Sequence, residues 1–138
     1  MSPVELSDSE FLAAFLECRL PAAQFGHRGH LRIAWLLLQQ QPLECAVEQI
    51  CTGIARLATH LGAPGKYHRT LSEALVRIMA HGGAATLPWD EFLRANPALL
   101  TDVMPTVGRY YSPELLGSAR ARAAFVAPDR LSLPRCQC

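Results

Sequence analysis

Apolar residues recur every three or four positions along most of this chain, and no stretch shows the apolar–polar alternation of a half-buried strand. The spacing predicts helices over about 8–19, 26–40, 42–62, 70–81, 89–95 and 113–125. The second of these is apolar on almost every side between residues 33 and 38, which is typical of a helix at the centre of a bundle. The pattern therefore predicts an all-α, single-domain bundle of five to six helices.

Short polar motifs mark where two of these helices begin. Ser7 with Glu10 three residues later forms a capping box for the first helix, and Thr70 with Glu73 would open the fourth in the same way. Short loops connect the second, third and fourth helices, so these helices should run up, down and up. We therefore expect the second and fourth helices to begin at the same end of the bundle.

Length and charge limit the remaining possibilities. A chain of 138 residues predicts one domain over 1–138, with a core over about 7–127 and an extended tail over 128–138. The net charge of +1 does not favour nucleic acid or an anionic membrane as a partner. The apolar run 33–38 is too short to span a bilayer, and residues 1–5 do not resemble a secretory leader. We expect a cytoplasmic protein.

The five cysteines are odd in number and irregularly spaced, which argues against a disulfide framework. Cys136 and Cys138 form a C-x-C pair at the C-terminus. Such a pair can bind a soft metal ion, although exposed thiols on a frayed tail are the commoner outcome.

The candidate chemistry lies in two polar segments, residues 25–32 and 65–70. His27 and His30 are three residues apart, so on a helix their Cβ atoms would lie about 5–6 Å apart on one face. They fall in the first turn, where the helix dipole disfavours imidazolium and so favours the neutral ring that metal binding needs. His68 precedes the fourth helix and, in the up–down–up arrangement, can complete a three-histidine metal site.

Three protein ligands leave a coordination position open, which is typical of a catalytic rather than a structural metal. Imidazole ligands suit copper, zinc and iron, and the lack of an assured carboxylate ligand favours copper. Glu10, Glu17 and Glu73 are the candidates for a fourth ligand or for orienting a histidine. The chain carries no nucleotide-binding motif, so we expect no nucleotide cofactor.

Cationic and phenolic residues surround the histidines. Lys66 and Tyr67 directly precede His68, and we expect them to take part in catalysis. Guanidinium groups bind carboxylates through paired hydrogen bonds, which favours an anionic substrate. The expected substrate-binding residues are Arg28, Arg32, Tyr110 and Tyr111.

Three segments of the chain resemble a little-studied family of small bacterial all-helical proteins: FGHRGHLRIAWLLL, GKYHRTLSEALVRIM and RYYSPELL. Members of that family look like F-x-H-x-x-H-L-R-x-A-W near the start and G-K-Y-H-x-T in the middle. The resemblance covers about residues 25–128 and supplies no particular activity. It implies that five residues act together: His27, His30, Lys66, Tyr67 and His68.

These features predict a small metalloenzyme with a mononuclear three-histidine site. A copper-dependent oxidoreductase or oxygenase acting on a small amino-acid or phenolic anion is the leading hypothesis. O₂ is the candidate co-substrate, and a homodimer is the candidate assembly. Two alternatives remain open, namely a non-catalytic metal carrier and a metal-free helical ligand-binding domain.

Overall fold

The structure, a computed structural model, describes residues 6–134, and this part of the chain is helical with no strand. The helices are α1 (Asp8–Leu16), α2 (His27–Gln40), α3 (Leu43–His60), α4 (Arg69–His81), α5 (Trp89–Ala95), α6 (Ala98–Thr101), α7 (Val103–Gly108), α8 (Pro113–Leu116) and α9 (Ala119–Ala123). The predicted all-α class is confirmed. Among the described residues, no helix combines the length and apolar character that crossing a bilayer would need.

The core lies where α3 packs against both α2 and α4. Leu31 and Leu37 of α2, Leu57 of α3 and Met79 of α4 are at most 1% exposed, as expected for the predicted central helix and its neighbours. The α1 helix closes one side, and its Phe15 ring packs directly on Gly53 of α3. A Cβ at residue 53 would lie 2.3 Å from that ring, so this close packing requires glycine.

The capping box predicted at the start of α1 is confirmed, because Ser7 and Glu10 exchange backbone–side-chain hydrogen bonds. The predicted end at residue 19 is wrong, since α1 ends at Leu16. Cys18 has a φ of 58°, in the left-handed region, and this conformation does not continue a right-handed helix.

The capping box predicted at the start of α4 is also wrong. His68 is the N-cap, and its Nδ1 accepts a hydrogen bond from the Leu71 N–H at 3.0 Å. The Thr70 hydroxyl is used elsewhere, because it bonds to the backbone of the segment that follows α9. Glu73 is used elsewhere too, since its carboxylate binds two arginines.

That carboxylate is the buried centre of an ion-pair network between α3 and α4, whose outer carboxylates are exposed. Glu73 is 4% exposed and accepts hydrogen bonds from Arg69 on one oxygen and Arg77 on the other. Arg69 also binds Glu48 of α3, and Arg77 binds Glu44 of α3. The network therefore joins two of the helices that line the cavity described below.

The last predicted helix, 113–125, is interrupted. The α8 helix ends at Leu116, and the Ser118 hydroxyl caps α9 by accepting a hydrogen bond from the Ala121 N–H. Two short helices that the periodicity did not predict, α6 and α7, precede this region.

After α9 the described chain forms no further helix up to residue 134, and it is fixed to the bundle. The extended tail expected over 128–138 lies partly outside the described residues and stays a prediction. The Tyr111 hydroxyl donates to Val126 O at 2.7 Å, and Asp129 accepts hydrogen bonds from the N–H and hydroxyl of Ser112. The cysteines of the described residues, Cys18, Cys45 and Cys51, are free thiols. The terminal C-x-C pair, Cys136 and Cys138, lies outside the described residues.

A candidate ligand site lined by three histidines

A cavity of about 150 Å³ lies between the first turn of α2, the start of α4 and the inner faces of α3 and α7. Apolar side chains from these helices form most of its wall. The polar residues that line it are His27, His30, Lys66, Tyr67, His68 and Ser72. The three histidines singled out from the sequence therefore border one space, as expected when α2 and α4 begin at the same end of the bundle.

His30 has the most perturbed ring of the three. Burial, and to a lesser extent the neighbouring His27, lowers the pKa of His30 to about 4. The ring of Phe25 packs against it edge to face, with centroids 4.2 Å apart. Its nitrogens make no hydrogen bond within residues 6–134, where every fully buried side-chain nitrogen or oxygen has a partner. The His30 nitrogens must therefore border open space, and the ring is neutral at physiological pH.

His27 is oriented by a backbone carbonyl. Its Nε2 lies within hydrogen-bonding distance of Leu99 O in α6. A carbonyl oxygen only accepts, so the proton is on Nε2 and a neutral ring keeps its lone pair on Nδ1. The ring nitrogen of a metal-binding histidine that does not hold the metal commonly donates its N–H to a carbonyl in this way.

Both nitrogens of His68 are engaged. Nδ1 accepts the capping hydrogen bond from Leu71, and Nε2 donates to Leu116 O of α8 at 2.7 Å. In this arrangement His68 holds together the start of α4 and the C-terminal helices. Its ring would have to give up one of these hydrogen bonds in order to bind a metal ion.

The described residues 6–134 contain no group of three or more His, Cys, Asp or Glu side chains already placed to hold a metal ion. None of the three candidate carboxylates lines the cavity. Glu10 belongs to the α1 capping box, and Glu17 pairs with Arg19 at the surface. The Glu73 carboxylate is already ion-paired with Arg69 and Arg77.

Lys66 and Tyr67 lie where the cavity reaches the surface. Lys66 is exposed, and none of the ion pairs found among the described residues involves its ammonium group. Burial, followed by the nearby Cys51 thiol, raises the pKa of the Tyr67 phenol to about 12. Arg122 of α9 donates to the carbonyls of Gly65 and Tyr67, so the C-terminal helices also fix this loop.

The structure does not bring the four predicted substrate-binding residues to this cavity, whose lining excludes Arg28, Arg32, Tyr110 and Tyr111. Tyr111 is fully buried, and its hydroxyl is used to hold the C-terminal segment. Tyr110 is half-buried and lies beneath the guanidinium of Arg109.

Arg28 and Arg32 instead line an open groove of about 730 Å³ on the other side of the α2 N-terminus. Arg32 is paired with Asp8 there, while Arg28 lies over the ring of Trp89. His27 borders both the groove and the cavity. The groove did not follow from the sequence, because Trp89 lies far along the chain and carried no signal beyond that of a core residue.

No protein-family model, curated protein or solved structure matches the chain. The resemblance described from the sequence motifs stays a prediction.

Proposed function

We propose that the protein is a small cytoplasmic metalloenzyme in which His27, His30 and His68 bind one metal ion, with copper the favoured metal. The proposed reaction is the oxidation of a small anionic substrate with O₂ as co-substrate. The observation that supports it best is the convergence of three imidazoles on one small cavity, with the neutral His30 ring facing open space. When bound, copper would supply the redox chemistry that no side chain of the cavity provides.

Two of the three rings suit this role as they stand. His30 is neutral and has nitrogens free of hydrogen bonds within the described chain. His27 has its Nε2 proton bound to Leu99 O and its Nδ1 lone pair free to coordinate. Their positions three apart in the first turn of α2 put them on neighbouring parts of one helix face.

His68 must exchange a hydrogen bond for a coordination bond. A neutral hydrogen bond contributes about 0.5–1.5 kcal/mol net, and an N-cap about 1 kcal/mol. Zinc binding to structural zinc-finger sites releases on the order of 10 kcal/mol, and a metal-binding energy of that size exceeds this loss several times over. Exchanging a hydrogen bond of the His68 ring for a metal bond is therefore favourable in net free energy once an ion is present.

Lys66 and Tyr67 would act on the substrate. The exposed Lys66 ammonium at the cavity mouth is free of carboxylates in the described chain and suits a substrate anion. The Tyr67 hydroxyl would donate a hydrogen bond to a developing oxyanion, and its raised pKa favours keeping that proton rather than transferring it.

The test is metal content and copper titration of tag-free protein, with a matched set of histidine variants. We expect one equivalent of copper in the wild type, and its loss in His27→Ala, His30→Ala and His68→Ala. The exposed His60 and His81 provide the control, because the His60→Ala/His81→Ala variant should bind copper as the wild type does. The proposal would be refuted if only that control variant lost copper, or if the folded wild type bound no stoichiometric copper.

A metal-free ligand-binding domain is the second candidate. The observation that favours it is the double hydrogen bonding of His68, which already satisfies that ring without a metal ion. Under this alternative, chelator-treated protein would bind small organic ligands, and the wild type would bind copper no more tightly than the His30→Ala variant does.

A further inference from the structure

The cavity has a size that selects its ligand. Its volume of about 150 Å³ equals that of an engineered apolar protein cavity of about 150 Å³ that binds a single benzene ring. One six-membered ring fits within such a space, whereas acetate would leave most of it empty. A fused two-ring system would have to displace packed side chains, which costs affinity in the same way that overpacking costs stability.

The lining combines an apolar wall with one cationic side chain. Ile54 of α3 and Val76 and Met79 of α4 are buried and form an apolar wall. Lys66 also lines the cavity but is exposed, and its ammonium group makes no ion pair within residues 6–134. A ligand with an apolar ring and one anionic group would match both the apolar wall and this cation.

We infer that the site accepts monocyclic aromatic carboxylates, with the ring between α3 and α4 and the carboxylate at Lys66. This inference rests on the proposed function for the place of the site, and it names the substrate class. The fit concerns the organic ligand alone, so it can be measured without a metal ion. The outer groove at Arg28 is not needed for binding.

The binding experiment uses chelator-treated full-length protein and three probes: benzoate, 2-naphthoate and acetate. By isothermal titration calorimetry we expect one benzoate site, and at least about tenfold weaker binding of 2-naphthoate because of the crowding of the second ring. Acetate should show no saturable binding. Equal affinity for benzoate and 2-naphthoate would overturn the inference.

Two isoleucines supply a matched pair for testing where the ring sits. Ile54 lines the cavity and Ile78 does not, and both are 9% exposed. Ile54→Ala removes three carbon atoms from the wall and should bring 2-naphthoate to within about threefold of benzoate, by relieving the crowding. Ile78→Ala should keep the wild-type preference, and a change of preference in both variants would place the ring elsewhere.

The position of the carboxylate is tested with Lys66→Met. An exposed ion pair is weak, so benzoate should bind about threefold to fivefold less tightly, while neutral phenol should be unaffected. Arg94→Met removes an exposed cation of α5 outside the cavity and is the control. An equal loss in both variants would refute the role of Lys66. Copper binding is measured separately. Benzoate selectivity without copper binding would reject only the proposed function. Copper binding without selectivity for a single ring would reject only this inference.

Discussion

The buried carboxylate Glu73 allows a quantitative test of how burial controls the strength of an ion pair. Glu73→Gln preserves the shape of the side chain but removes its charge and turns one acceptor into a donor that faces a guanidinium. In the wild type, one oxygen accepts from Arg69 at 2.8 and 3.1 Å and the other from Arg77 at 3.0 and 3.1 Å. The side chain of Glu73 is only 6% exposed.

The expected loss of unfolding free energy follows from these contacts. Breaking one side of a fully buried pair costs about 3–5 kcal/mol. Arg69 and Arg77 are 22% exposed and each keeps a second carboxylate on α3, so part of their charge stays compensated. We therefore expect a loss of about 2–4 kcal/mol, measured by equilibrium urea denaturation followed by circular dichroism.

Glu44 is the matched control for this substitution. It accepts two hydrogen bonds from Arg77, each at 3.0 Å, but its side chain is 74% exposed. Since exposed ion pairs contribute little, Glu44→Gln should cost less than about 1 kcal/mol. Equal losses in the two variants would show that burial does not set the strength of this network.

Two further predictions concern packing and the C-terminal segment. Gly53→Ala should destabilise the fold by about 2 kcal/mol or more in thermal denaturation, because the new methyl group overlaps the Phe15 ring. Gly65→Ala is the control and should change stability by less than about 1 kcal/mol, because the space around residue 65 is open. Burial, followed by the Glu73 charge, raises the pKa of Tyr111 to about 12, so the folded state favours the neutral phenol. The stability that this preference contributes is present below pH ~10 and is lost as the pH rises toward 12. Tyr111→Phe should therefore cost about 1 kcal/mol at neutral pH through the lost bond to Val126 and should flatten the alkaline loss of stability; an unchanged pH profile would contradict this reasoning.

The longer helices could be predicted from the sequence because their buried faces repeat with the helical period over several turns. The α6 and α7 helices have only four and six residues, which is too short for a periodic pattern to emerge. The break between α8 and α9 depends on Ser118, which was not distinguishable from a helical serine in sequence alone. The true cap of α4 was missed for a similar reason, since histidine is not among the common N-cap residues.

The meeting of the histidines in one cavity could be predicted because it depends on helix direction alone. The hydrogen bonds that orient them could not, since Leu99 and Leu116 contribute backbone carbonyls that every residue possesses. The arginines were assigned to the same pocket because they are neighbours in sequence. Consecutive residues of a helix point about 100° apart, so Arg28 faces a different space from most of the cavity lining.

The measurement closest to the central claim is the electron paramagnetic resonance spectrum of one equivalent of Cu(II) bound to protein that lacks the exposed His60 and His81. The proposed three-histidine site predicts nitrogen hyperfine structure from three imidazoles, reduced to two when His68→Ala is added. A spectrum that the His68 substitution leaves unchanged, or one of hydrated copper alone, would contradict the shared three-histidine site.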